Sequence, residues 1–301
     1  MRLLPIVGLL SGCSIVLIDE VCDTSTPTVE ETGSAPELLF SAVGTGATHS
    51  CGIMDDASLY CWGLGDEGQL DAPTGSFEAL SVGHAHTCAI DEVGDVQCWG
   101  RNDDGQTDLE GRFDAVSSGG AHTCGLDAEQ RVQCVGRNDV GQTDAPDQRF
   151  LSISAGAKHT CGIAILSDDA TGSVCWGELK KEATPEEGHL SVISGSGWAC
   201  AESSTAVSCF GSDAEGQHAV PGGLRYDSLT AGARHGCGLN RDGLIQCWGD
   251  NEAGQTEAPS GSFKQVVAGP TSLHTCGLHA GADEATPITC WGLDAENQLM
   301  P

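Results

Sequence analysis

Between residues 37 and 301 apolar side chains come in short alternating runs and never in long ones. Phe77-Glu78-Ala79-Leu80-Ser81-Val82, His86-Thr87-Cys88-Ala89-Ile90 and Val96-Gln97-Cys98-Trp99 are three successive runs, separated by polar turns. Alternation over four to six residues predicts short strands, and no window keeps the three-and-four spacing of a helix. The last two runs read as a hairpin turning through Asp91 to Asp95, with one cysteine on each strand. After Trp99-Gly100 the chain enters a loop of Asn, Asp and Gly that closes on Gly105-Gln106.

The same phrase recurs seven times. Its first cysteine is Cys51, Cys88, Cys124, Cys161, Cys200, Cys237 or Cys276, at intervals of 37, 36, 37, 39, 37 and 39 residues. Its second is Cys61, Cys98, Cys134, Cys175, Cys209, Cys247 or Cys290. Trp-Gly follows in five copies; Phe210-Gly211 and Val135-Gly136 replace it in the fifth and third. Gly-Gln ends five copies, Asn297-Gln298 ends the seventh, and the fourth has nothing comparable. An aromatic stands eleven residues before the cysteine at Phe40, Phe77, Phe113, Phe150 and Tyr226, with Phe263 two residues further away. Each copy is therefore strand, glycine turn, strand, turn, strand and polar loop, with room for a short fourth strand. All-β units of this size with periodic Gly and aromatic marks predict a seven-bladed β-propeller over 37–301, the fourth and fifth blades being the most degenerate.

Composition adds two things. Aromatics make up only 5% of the chain and there are 42 glycines, so the core is thin and needs reinforcement. Fourteen of the 16 cysteines form the seven pairs, ten residues apart in the common case, which places them opposite each other across one hairpin. Cross-strand positions approach to about 4.5 Å between Cα atoms, within disulfide range. Zinc is the alternative, but no Cys-x-x-Cys occurs and each copy supplies too few ligands. Seven disulfides imply an oxidising compartment. A net charge of −30, from 43 acidic and 13 basic residues, excludes a binder of phosphate backbones, which needs clustered Lys and Arg.

Residues 1–12 carry one positive charge and a short apolar run, the outline of a secretory signal. Leu10-Ser11-Gly12-Cys13 resembles the bacterial lipobox, which implies a lipid on Cys13. Cys22 is left over. Residues 13–36, rich in Thr, Pro and Glu, predict a disordered tether between that lipid and the folded domain.

Gly119-Gly120-Ala121-His122-Thr123-Cys124-Gly125-Leu126, Trp248-Gly249-Asp250-Asn251-Glu252-Ala253-Gly254-Gln255 and Gly141-Gln142-Thr143-Asp144-Ala145-Pro146 resemble the repeat of the regulator of chromosome condensation family. The short copies are similar to its bacterial branch, which includes a secreted propeller that inhibits β-lactamase. The resemblance implies a seven-bladed propeller. It implies far less about activity, because function resides in sites grafted on a fold.

Three features are candidates for chemistry. Histidine precedes the first cysteine by two at His49, His86, His122, His159, His235 and His274, with Trp198 in the fifth copy. Equivalent positions around a ring cannot converge on one ion, so these read as structural residues holding the turn after the first strand. The Asn and Asp loops could hold calcium, but they lack the twelve-residue pattern with its closing Glu and read as ordinary turns. No nucleophile elbow, phosphate loop or zinc-hydrolase helix is present, so no enzyme, metal or cofactor is expected. The remaining asymmetry lies in the fourth and fifth copies, where Lys180, Lys181, Trp198 and Phe210 form a candidate partner face. The sequence thus predicts a monomeric, lipid-anchored envelope protein binding a protein or glycan. Inhibition of a secreted hydrolase is the alternative, and a nucleotide-exchange or chromatin role is disfavoured by the export signal and acidity.

Overall fold

The structure is a computed structural model describing residues 38–301, except 168–169, 183–187, 223–225 and 282–287. The predicted signal, Cys13, Cys22 and the tether lie outside the described residues. Twenty-one strands and no helix occur among those described. They form seven antiparallel sheets, each of three strands consecutive in sequence. Each sheet is one blade, and the molecule is a seven-bladed β-propeller. In blade 2 the inner strand is Phe77–Val82, the middle strand His86–Asp91 and the outer strand Val96–Gly100.

Burial explains why the three strands differ in composition. The middle strand is sandwiched between neighbouring blades and is buried along almost its whole length, as in His86–Asp91, where only Asp91 is partly exposed. Between its buried histidine and isoleucine it therefore carries small side chains, Thr87, Cys88 and Ala89 in this blade. The outer strand alternates, with Gln97 exposed and Trp99 buried. The hydrophobic clusters lie between blades. Leu126, Phe150, Ala164, Val174 and Trp176 join blades 3 and 4, and Phe40, Val43 and Trp62 pack on Leu278 and Ile288 to join blades 1 and 7. No central core exists, so blade-to-blade contact carries the stability.

All seven predicted cysteine pairs are bonded, each across the middle and outer strands at directly opposed positions such as Cys88 and Cys98. Their Cα atoms lie 4.0 or 4.1 Å apart. The middle-strand cysteine is fully buried, so each bond pins an outer strand to the packed interior. Seven disulfides point to an oxidising, extracytoplasmic compartment.

The fourth strand is only vestigial. Among the described residues it is reduced to isolated bridges between Asp95 and Arg112 and between Cys175 and Lys181. The aromatic slot that the fifth copy leaves empty is taken by His189, 4% exposed, whose Nδ1 accepts a hydrogen bond from Ser173 N.

Candidate functional site

The inner–middle turns and the start of each Gly-Gln loop lie at one end of the strands, here termed the upper face. Backbone bonds tie these turns into a ring about the axis, His84 N donating to Gly119 O, Gly120 N to Gly156 O and Ala157 N to Gly195 O. The turn glycine is required by proximity. A Cβ on Gly83 would lie 2.5 Å from His86 Cε1 and 2.6 Å from Gly119 O. The glycine after Trp99 is required by its backbone, at φ 95°.

Each recurring histidine is completely buried, and all but His159 bond across the seam to the next blade. The Nε2–Oγ1 distances are 3.0 Å for His49 and Thr87, 2.9 Å for His86 and Thr123, and 2.8 Å for both His122 and Thr160 and His235 and Thr275. His274 meets Ser50 Oγ at 3.0 Å and so closes the ring. Thr123 Oγ1 donates to Gln106 O at 2.7 Å and Thr160 Oγ1 to Gln142 O at 3.1 Å, which leaves the histidine Nε2–H as donor to the threonine. The reading of these histidines as structural is refined in one respect: they fasten the neighbouring blade as well as covering their own turn. Burial, then the charges of neighbouring histidines, lowers His49, His86, His122 and His274 to about 3. Burial lowers His159 and His235 to about 4. The rings are therefore neutral. They resemble histidine–hydroxyl dyads, but both partners are sealed from solvent and cannot meet a substrate.

The Gly-Gln signature is a clasp. Gln106 Oε1 accepts Asp104 N at 2.9 Å and closes its own loop, while the glutamine carbonyl serves the next blade. Trp99 Nε1 donates to Gln69 O at 3.1 Å, Trp248 to Gln217 O at 2.8 Å, Trp291 to Gln255 O at 3.0 Å and Trp62 to Gln298 O at 2.9 Å. Asn102 Oδ1 accepts Thr107 N, and Asn102 Nδ2 donates to Asp108 Oδ1 at 2.8 Å, so the loop polar groups are spent on the loop itself. Among the described residues no group of three or more His, Cys, Asp or Glu side chains is placed to hold a metal ion. The axial channel, about 240 Å³, is lined by small side chains including Ser81, Ser118, Ser154 and Ser194 and by no charged group. Its hydroxyls stitch adjacent inner strands, as Ser118 Oγ does to Ser81 O at 3.2 Å.

Two members of the candidate partner face come together. Lys181 Nζ stands 5.4 Å from the centre of the Phe210 ring, and its backbone pairs with Cys175. Lys180 is exposed beside them. Trp198 does not belong to that face. It is 0% exposed, fills the histidine slot of blade 5, and donates from Nε1 to Ala233 O at 2.9 Å.

Fold and seams define the class: a disulfide-clipped propeller of repeated, mutually clasped blades. Residues 40–69, 77–106, 113–142 and 226–255 each match the regulator of chromosome condensation (RCC1) repeat. Four of the seven blades, 1, 2, 3 and 6, thus carry the RCC1 repeat, each matched through its clasping glutamine. Among solved structures it is similar to the ectodomain of the receptor kinase CR4 from Physcomitrella patens, at 25% identity and TM-score 0.68 over 83% of this chain and 72% of that one. The ectodomain of ACR4 from Arabidopsis thaliana aligns at 23% identity and TM-score 0.69, covering 87% and 96%. Prp20p from Saccharomyces cerevisiae aligns at 15% and 0.63, covering 85% and 82%. No curated protein matches in sequence.

Proposed function

We propose that this propeller is a non-catalytic protein-binding module, displayed outside a bacterial cell by a lipid on Cys13 and a tether to residue 36. One observation carries the reading. Apart from His159 and Trp176, the recurring histidines, hydroxyls, indoles and glutamines are consumed in fastening blades or closing loops, and among the described residues the upper face is left as polar loops without an exposed histidine–hydroxyl dyad. A preorganised surface of this kind binds without an ordering cost. The disulfides support an extracytoplasmic site, and two of the similar propellers are receptor ectodomains. Prp20p was described with its binding to Gsp1p and histones, a precedent for protein partners on this fold. Lys180, Lys181 and Phe210, beside the outer strands of blades 4 and 5, are the contact residues singled out by sequence.

The test is affinity capture from envelope and culture extracts on the oxidised protein, at low and high salt. A stoichiometric protein partner is the expected result. A partner that is a hydrolase, inhibited at near-equal molar ratio, turns the module into an inhibitor. Capture of glycan alone, or turnover of a hydrolase substrate by the purified chain, defeats the reading. Incorporation of labelled palmitate that is lost in Cys13→Ser checks the anchor.

A further inference from the structure

The upper face is electrically divided. In blades 5, 6, 7 and 1 each stretch from the residue after Trp-Gly (Phe-Gly in blade 5) to the clasping glutamine carries two carboxylates, Asp250 and Glu252 in blade 6 for instance. The one cation among them, Arg234 in the blade 6 turn, is already engaged, with Nη2 2.9 Å from Asp250 and Nη1 3.7 Å from Glu215. Blades 2 to 4 differ. Arg101 and Arg137 begin their loops, Lys158 occupies the blade 4 turn, and Lys180 and Lys181 follow in the blade 4 loop.

Three of these cations and one carboxylate, Asp104, line a hollow of about 270 Å³ together with His84, Gln106, Gly120, Ala121 and Ala157. Two carboxylates hold the guanidiniums in place. Arg137 donates from Nε and Nη2 to Asp104 at 3.2 and 2.8 Å, and Arg101 donates from Nε to Asp103 at 2.8 Å. Each guanidinium retains further N–H groups, because it has five donors in a fixed fork. Lys158 is exposed and has no ion pair among the described residues. Partial desolvation, then the Arg101 charge, lowers the pKa of His84, so its imidazole is neutral at the rim.

We infer that this hollow is an anion subsite that takes a carboxylate of a protein partner, an Asp or Glu side chain or a C-terminus. Preoriented guanidiniums match a carboxylate in two-point geometry, and Lys158 supplies a charge that Asp139 offsets only at longer range. The net charge of −30 repels acidic proteins generally. A subsite of opposite sign at one edge of the acidic face therefore fixes the orientation of a partner whose remaining surface is basic. The assignment rests on the binding-module reading and adds the chemistry of the contact.

The test is selection of twelve-residue peptides from a random displayed library on the oxidised full-length protein. Synthetic copies are then titrated by fluorescence anisotropy against the wild type, Arg101→Gln/Lys158→Gln, and the lower-face control Arg112→Gln/Arg131→Gln. Selected peptides should carry Asp or Glu beside basic residues, or a required free C-terminus. The pocket variant should weaken them about tenfold or more, the scale of one charge-assisted contact, while the control leaves them unchanged. Amidated copies separate a terminal from a side-chain carboxylate. Peptides without acidic groups, or acidic peptides bound equally by the pocket variant, overturn the subsite and leave the binding module standing. A library with no binder to any of the three proteins overturns the subsite and the peptide-binding form of the module together.

Discussion

Blades 2 and 3 meet through His86, Thr123 and the carbonyl of Gln106; blades 4 and 5 have none of these three features in working order. His159 faces Ala199 where a threonine stands elsewhere, and neither of its ring nitrogens has a partner among the described residues. The blade 4 loop has no clasping glutamine, and blade 5 presents Phe210, which has no N–H to donate. At the next seam Trp198 turns to Ala233 O, and the threonine position is Gly236. At these two seams most losses come in matched pairs, a missing acceptor opposite a missing donor, while His159, and Trp176 Nε1 at the seam before them, are left without partners. Blades 4 and 5 are held instead by apolar packing of Ile163 and Val192 on Ala199 and Ala201, flanked by Phe210, and by bonds outside the signature, Thr171 Oγ1 donating to His189 O at 2.6 Å and Ser194 Oγ to Ser154 O at 3.0 Å. The comparison teaches that the polar signature is a seam device, dispensable where packing and other cross-seam hydrogen bonds replace it.

The largest expected effect is shared by both kinds of seam. Six buried histidines hold folded values of about 3 or about 4, against an ordinary 6.5. The unfolded chain takes up protons below pH 6.5 that the folded chain refuses, so this stability is intact above 6.5 and falls with pH. Each histidine contributes about 1.4 kcal/mol per pH unit within its window, up to about 8 kcal/mol per unit for the six. Urea midpoints at pH 7, 6 and 5 should drop steeply; a flat profile would show that the rings are not neutral and buried. His159→Leu should flatten the slope by one proton as much as His86→Leu does, yet cost far less stability at pH 7.

Disulfide removal comes next. Replacing both Cys88 and Cys98 by alanine should lower stability by about 2–3 kcal/mol, and the Cys161 and Cys175 pair should cost at least as much through its longer loop. Equal midpoints with and without either pair would refute a stabilising role. The seam hydroxyls sharpen the comparison further. Thr123→Val should cost about 1–2 kcal/mol, because it strands His86, whereas Ala199→Thr should add about 1 kcal/mol by supplying His159 with a partner. If both substitutions moved the thermal midpoint the same way, the seam account would be wrong. The smallest effect is an exchange of clasps: Trp62→Phe should lose about 1 kcal/mol, and Phe210→Trp should gain nothing, since no glutamine carbonyl awaits its indole.

Much of this was legible in the sequence because it is written seven times. The cysteine spacing gave the hairpin and its disulfide, and the interval of 36 to 39 residues gave the blade. What was not legible was direction. His86, Thr87 and Cys88 are adjacent in sequence, yet the histidine serves Thr123 of blade 3 while Thr87 serves His49 of blade 1. Local spacing cannot show a bond that skips to the next copy, although the joint absence of threonine at Ala199 and Gly236 beside an altered fifth copy was a signal. Trp198 was read as a surface residue because its departure from histidine looked functional. Its burial follows from the slot it fills, one sealed on both faces by neighbouring blades. The subsite at Arg101, Arg137 and Lys158 escaped notice because its residues belong to three different copies.

The clasp between Trp62 and Gln298 has the chemistry of the other clasps but not their history. Neighbouring blades elsewhere are fastened by residues no more than 40 positions apart, and this pair is separated by 236. Closing the longer loop costs about 1.6 kcal/mol more in chain entropy, so the first and last blades should dock after the others have assembled. Amides at that joint should exchange with solvent soonest. A circular permutant with its termini moved between blades 4 and 5 would transfer the late step to the joint least equipped to complete it.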